Sequence, residues 1–175
     1  MGDAASFRRK GTEDSQRHSL KRGDGMTRSF IRPDAVANVT GGTDAPDLRG
    51  QVRFYQEPGS VLVEADVTGL PKSSKSGFFG FHIHEGDACT GPGFAQTGGH
   101  YNPGSTEHPM HVGDLPPLMM QQGRAHMTVR TDRFRVQDIL GRTVVIHSDP
   151  DDFRTQPSGM SGTKIACGVI RPGRI

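Results

Sequence analysis

Apolar and polar residues alternate over short stretches of this chain, with a period of two rather than 3.6. Such runs occupy residues 35–39, 50–55, 60–70, 78–84, 124–131, 142–147 and 163–170, and alternation of this kind marks strands with one buried face. Only residues 136–140 fit a helical turn. Seven or eight short strands divided by turn signals predict an all-β chain, a sandwich or Greek-key barrel of antiparallel strands. Two connections are much longer than a turn, residues 85–123 and 148–162, and long connections without structure of their own are usually functional or disordered.

In the run FFGFHIH, Phe79, Phe81 and Ile83 alternate with Gly80, His82 and His84. Successive strand side chains point to opposite faces, so the two imidazoles share a face that the apolar residues do not. His147 ends the run TVVIH on the face opposite Val144 and Ile146. A lone His-x-His pair is also what an ordinary solvated strand face looks like. The distribution of the other histidines changes that picture: of eight, His82, His84, His100, His108, His111 and His147 lie in the long connection or at the ends of strands flanking it. Asp114 follows His111 by three residues. Six imidazoles and a carboxylate exceed the four ligands of one tetrahedral zinc site, whereas two metals sharing a ligand would use them all. Imidazole suits copper and zinc alike, and an added carboxylate suits zinc.

Composition supports the loop-rich reading, with 24 Gly, 12 Pro and no Trp in 175 residues. Charge is uneven: residues 1–32 hold eight Lys or Arg against four acids, and residues 33–175 hold 13 against 15. The first 32 residues therefore read as a disordered basic tail and residues 33–175 as one domain. The near-neutral domain offers no basic surface, so no nucleic-acid partner is expected. No stretch has the length of a membrane span. The lack of an apolar run after the first basic residues predicts a cytoplasmic protein, with export by an unrecognised route as the alternative. Two cysteines, Cys89 and Cys167, allow one internal bridge.

Taken together, FHIHE, GGHYNP, HVGDLP, VVIHSDPDD and KIACGVI resemble the copper/zinc superoxide dismutases over roughly residues 35–171. The resemblance implies an immunoglobulin-like Greek-key barrel of about eight strands, with a long metal-binding loop and a shorter electrostatic loop. It implies that His82, His84, His100 and His147 bind copper, and that His100, His108, His111 and Asp114 bind zinc. Asp151 would link His82 to His108, and Cys89 would bridge to Cys167. The implied reaction is disproportionation of superoxide by copper cycling, with zinc redox-silent and the shared His100 carrying a proton to the product.

One departure from the family pattern is charged: Lys164 stands where an arginine is expected, keeping the cation but not its two-pronged donor. Two others are short segments, the Pro109-Met110 spacer between His108 and His111 and the 148–162 loop. Met110, Met119 and Met120 read as gap-fillers and His126 and His18 as surface residues. A non-enzymatic copper/zinc store or carrier on the same fold is the alternative function, and histidine at all four copper positions favours the enzyme. Superoxide is the implied substrate, and a homodimer is one assembly open to the chain.

Overall fold

The computed structural model describes residues 32–72, 74 and 76–173. The expected basic tail lies outside these residues except for Arg32, and so does His18. Eight strands form: β1 (Ala35–Gly41), β2 (Arg49–Glu57), β3 (Ser60–Thr68), β4 (Phe78–His84), β5 (Asp114–Met119), β6 (Arg124–Thr131), β7 (Thr143–His147) and β8 (Lys164–Pro172). A single helical turn, α1 (Val136–Ile139), precedes β7. All neighbours are antiparallel, in the order β5-β4-β7-β8-β1-β2-β3-β6. The end strands β5 and β6 also touch, which nearly closes a Greek-key barrel.

Alternation builds the core. Ala35, Ala37 and Val39 of β1 point inward with Val52 and Phe54 of β2 and Val61, Val63, Ala65 and Val67 of β3. Phe79, Phe81 and Ile83 of β4 meet Val144 and Ile146 of β7 from the other side. Phe54, Phe79 and Phe81 are each at most 1% exposed, and complete burial of one such side chain contributes roughly 1.5–3 kcal/mol.

The outer faces divide in two. On β2 and β3 the outward residues form solvated polar ladders, such as Arg53 between Glu64 at 3.1 Å and Asp66 at 2.7 Å. On β4 and β7 the outward residues after Phe78 are buried as well, because the two long connections fold over them.

β5 was not among the expected strands, since its sequence DLPPLM lay within the long connection read as a loop. Prolines remove ladder donors and confine a strand to an edge or a bulge. β5 fits that rule: it pairs only with β4, and the register breaks between Phe79 and Phe81, so neither Pro116 nor Pro117 has a partner in the ladder.

Candidate metal centre

The barrel presents three of the histidines directly. His82 and His84 stand on the outward face of β4, and His147 ends β7, where the register against β8 shifts just before it. His100 is brought in by an isolated antiparallel bridge to His84, and Asp114 opens β5 opposite His82. His108 and His111 arrive on the loop between. None of these seven residues is more than 8% exposed, so the expected polar strand face is an interior one.

Two groups of ligand atoms result, His82, His84, His100 and His147 in one and His100, His108, His111 and Asp114 in the other, each with its atoms within 4.8 Å of one another. His100 belongs to both. Ring nitrogens face ring nitrogens: His84 Nε2 lies 3.2 Å from His147 Nε2, and His111 Nδ1 lies 3.4 Å from His100 Nδ1. Asp114 reaches His100 Nδ1 at 2.7 Å, His108 Nδ1 at 3.0 Å and His111 Nδ1 at 3.3 Å. His82 Nδ1, His100 Nε2, His108 Nδ1 and His147 Nδ1 are buried without an aligned hydrogen-bond partner, the last although the Gly162 backbone is near enough to act on it.

Protonation cannot relieve this crowding. Burial lowers the pKa of His82 despite its bond to Asp151, lowers that of His84 well below 6.5, and takes His147 to about 3, helped by the neighbouring His82 and His100. These three rings are uncharged at neutral pH, and His84 Nε2 and His147 Nε2 face one another. For Asp114, burial alone would raise the pKa, but the His100 bond and the electrostatic influence of His100, His111 and His108 outweigh it and keep the carboxylate ionised. Buried ring nitrogens converging on one another and on an ionised carboxylate form a donor set that a metal ion satisfies.

The outer partners decide which nitrogen turns inward. Asp151 is held ionised, with a pKa of about 2, because bonds from His82, the Phe153 N–H and His108 outweigh its burial. Its two oxygens accept from His82 Nε2 at 2.9 Å and His108 Nε2 at 2.8 Å. Nδ1 of both rings is thereby left facing the two groups. Gly159, at φ +67°, allows this approach, since a Cβ there would run into the Asp151 carboxylate and the His108 ring. The Gly98 carbonyl accepts from His84 Nδ1 at 3.0 Å, which turns His84 Nε2 inward.

Lys164 uses the same carbonyl. Its Nζ donates to Gly98 O and Thr97 Oγ1, both at 2.7 Å, and burial lowers its pKa. Cys89 and Cys167 are bridged, with Cα atoms 5.6 Å apart, which ties the long loop to β8.

All the residues singled out in the sequence for this centre are thus assembled in one region. The other residues weighed lie elsewhere: His126 is on the surface, as expected, and pairs with Asp66 at 2.7 Å, whereas Met110 and Met119 are exposed rather than gap-filling, and of the three methionines only Met120 packs against the core. Gln156 was missed. Its side chain accepts from His108 N at 2.9 Å and donates to His108 O at 2.8 Å, joining the two loops. An isolated glutamine 48 residues away carries no local signal of that role.

Residues 48–170 match the family model described as copper/zinc superoxide dismutase. The chain is 34% identical over 145 residues to a "Superoxide dismutase [Cu-Zn]" of Deinococcus radiodurans, covering 71% of this chain and 78% of that protein. It is 34% identical over 149 residues to the Legionella pneumophila protein of the same name, covering 81% and 89%. A "Superoxide dismutase [Cu-Zn] 2" of Aquifex aeolicus is 31% identical over 140 residues, covering 71% and 80%.

Proposed function

Because the chain belongs to the copper/zinc superoxide dismutase family, and so is an oxidoreductase that converts superoxide to oxygen and hydrogen peroxide, we propose that His82, His84, His100 and His147 hold its copper and that His100, His108, His111 and Asp114 hold its zinc. The observation that carries this assignment is the convergence of buried ring nitrogens without an aligned hydrogen-bond partner, in two groups sharing His100. When bound, copper supplies the one-electron couple and zinc a redox-silent charge beside it.

The chain's own residues do the rest. His100 Nδ1 is engaged by Asp114, while Nε2 has no protein partner, so Nε2 is the atom at which a proton is held and given to the product. Asp151 positions His82 and His108 by fixing their tautomers. Lys164 attracts and orients the superoxide anion: two of its three N–H groups are committed to Thr97 and Gly98, which fixes the ammonium on β8 beside the end of β7. A store or carrier would need no such guided cation, and the family relatives are named as enzymes.

Replacement His84→Ala tests the assignment. Elemental analysis should find copper reduced to under about a tenth of the parental content with zinc retained, and superoxide turnover lost, because outer and inner ligand losses of this kind cost at least 10–100-fold in affinity. A variant that kept full copper and full activity would overturn the copper assignment.

A further inference from the structure

The loop carrying His108 and His111 has almost no structure of its own, yet four consecutive carbonyls along it are each taken by a side chain. His108 O accepts from Gln156 at 2.8 Å, Pro109 O from Arg133 at 3.1 Å, Met110 O from Thr106 at 2.8 Å and His111 O from Arg133 at 3.2 Å. Arg133 also donates to Asp114 O at 3.1 Å. Thr106 and Gln156 belong to the two long connections themselves. Arg133 does not: it lies between β6 and α1, on the barrel frame, and its backbone N–H is tied to Thr131 Oγ1 at 3.2 Å.

We propose that Arg133 is the positioning residue of the zinc half of the centre, its guanidinium fixing the backbone of His111, Asp114 and the residue after His108 to the barrel. The inference rests on the zinc assignment made above. One planar, permanently charged donor group reaches three carbonyls, and bonds from a charged donor are the stronger ones. Nη1 makes all three of these contacts, and Nη2 lies 4.0 Å from the Met110 sulfur. The loop closes two turns of its own, Met110 N to Glu107 O at 2.8 Å and Asp114 N to His111 O at 3.2 Å, and both bonds are local to the loop. Its attachment to the barrel comes from Arg133. Arg133 touches no ligand ring or carboxylate, so its effect runs wholly through the backbone. An arginine 19 residues beyond Asp114 is what sets the spacing of the zinc ligands before the ion arrives.

The test uses the full-length, metal-loaded chain and two readouts, zinc release to a chromophoric chelator and the visible d–d spectrum after cobalt(II) replaces zinc. Arg133→Met keeps the aliphatic stem and removes the donors. Its zinc dissociation constant should rise about tenfold, the low end of the range for partners of metal ligands because the guanidinium is partly solvated. The cobalt bands should shift in position or intensity. Arg133→Lys, which keeps the charge but on a shorter stem and without the planar fork, should recover part of both effects. Arg130→Met is the control: Arg130 and Arg133 line one surface groove, but Arg130 pairs with Glu57 at 2.7 Å, and its loss should leave zinc release and the cobalt spectrum at parental values. Parental zinc affinity in Arg133→Met overturns the proposal, and so does a weakened affinity with an unaltered cobalt spectrum, which would mark general destabilisation. If Arg133→Met does not fold, Arg133→Gln, whose short neutral amide cannot span the three carbonyls, decides by the same readouts, parental values again overturning the role. Failure of the zinc assignment itself would show in the parent, which would then develop no cobalt bands, and both readings would fall together.

Discussion

Lys164 concentrates the question of how the substrate's charge meets this protein. A lysine keeps the positive charge of the family arginine but is a compact ammonium without a planar fork, and here its direction is set by Thr97 and Gly98 rather than by its own shape. A cation at this position gathers an anion over about one Debye length, roughly 8 to 10 Å at ordinary ionic strength. Lys164→Glu should therefore slow superoxide turnover strongly and abolish or invert its decline with added salt. Lys164→Arg should equal or exceed the parent, since the charge is unchanged and a bidentate donor is gained. Turnover measured against ionic strength checks this, with metal content confirmed for each variant. A glutamate variant that held both metals and kept the parental rate and salt slope would place substrate guidance elsewhere.

Among the elements, the bridge between Cys89 and Cys167 joins an irregular segment to a paired strand. Cys167 lies in β8, paired to both β1 and β7, whereas Cys89 sits in the irregular segment before the short 3-10 stretch Pro92–Thr97. That stretch ends in Thr97 and Gly98, the residues that accept from Lys164 and His84. Holding it against β8 therefore also holds the acceptors of the proposed substrate-guiding cation and of one proposed copper ligand. The bridge closes a separation of 78 residues, and constraint of the unfolded chain over such a length contributes on the order of 4 kcal/mol. The double variant Cys89→Ser with Cys167→Ser should lose stability of about that size in urea unfolding of the metal-free protein. An unchanged urea midpoint would show that the bridge tethers without stabilising.

For the whole molecule, a buried set of neutral histidines makes stability depend on pH before any metal is considered. His82, His84 and His147 have folded-state pKa values below 6.5, and His147 is at about 3. The unfolded chain takes up protons on these residues as the pH falls below 6.5, and the folded chain does not, so acid favours unfolding throughout that window. The carboxylates act in the same direction lower down. Asp114 and Asp151 are depressed from 3.8, Asp151 to about 2, so their stabilisation is complete above 3.8 and lost as the pH falls towards 2. Urea midpoints of the metal-free protein should fall steadily from pH 7 to pH 4, and the metal-loaded protein should hold its midpoint to lower pH because bound ions keep the ligands deprotonated. A flat profile for the metal-free protein would mean that these rings are not buried in solution.

Much of this centre was legible in the sequence. The strands carrying His82, His84 and His147 follow from local alternation, which fixes side-chain direction whatever the rest of the chain does. The clustering of six histidines, with Asp114 three residues after His111, pointed to two metals sharing a ligand. Other features required the folded chain. β5 was hidden because Pro116 and Pro117 obscure a strand that only the edge of a sheet tolerates. That the histidine face is interior could not be read either, since a polar strand face has the same pattern under solvent or under a loop. The anchoring of His108 by Gln156, and of its loop by Arg133, joins residues tens of positions apart through a few hydrogen bonds each. Local sequence determines which way a side chain points, but which distant group waits there is decided only when the barrel brings the two loops together.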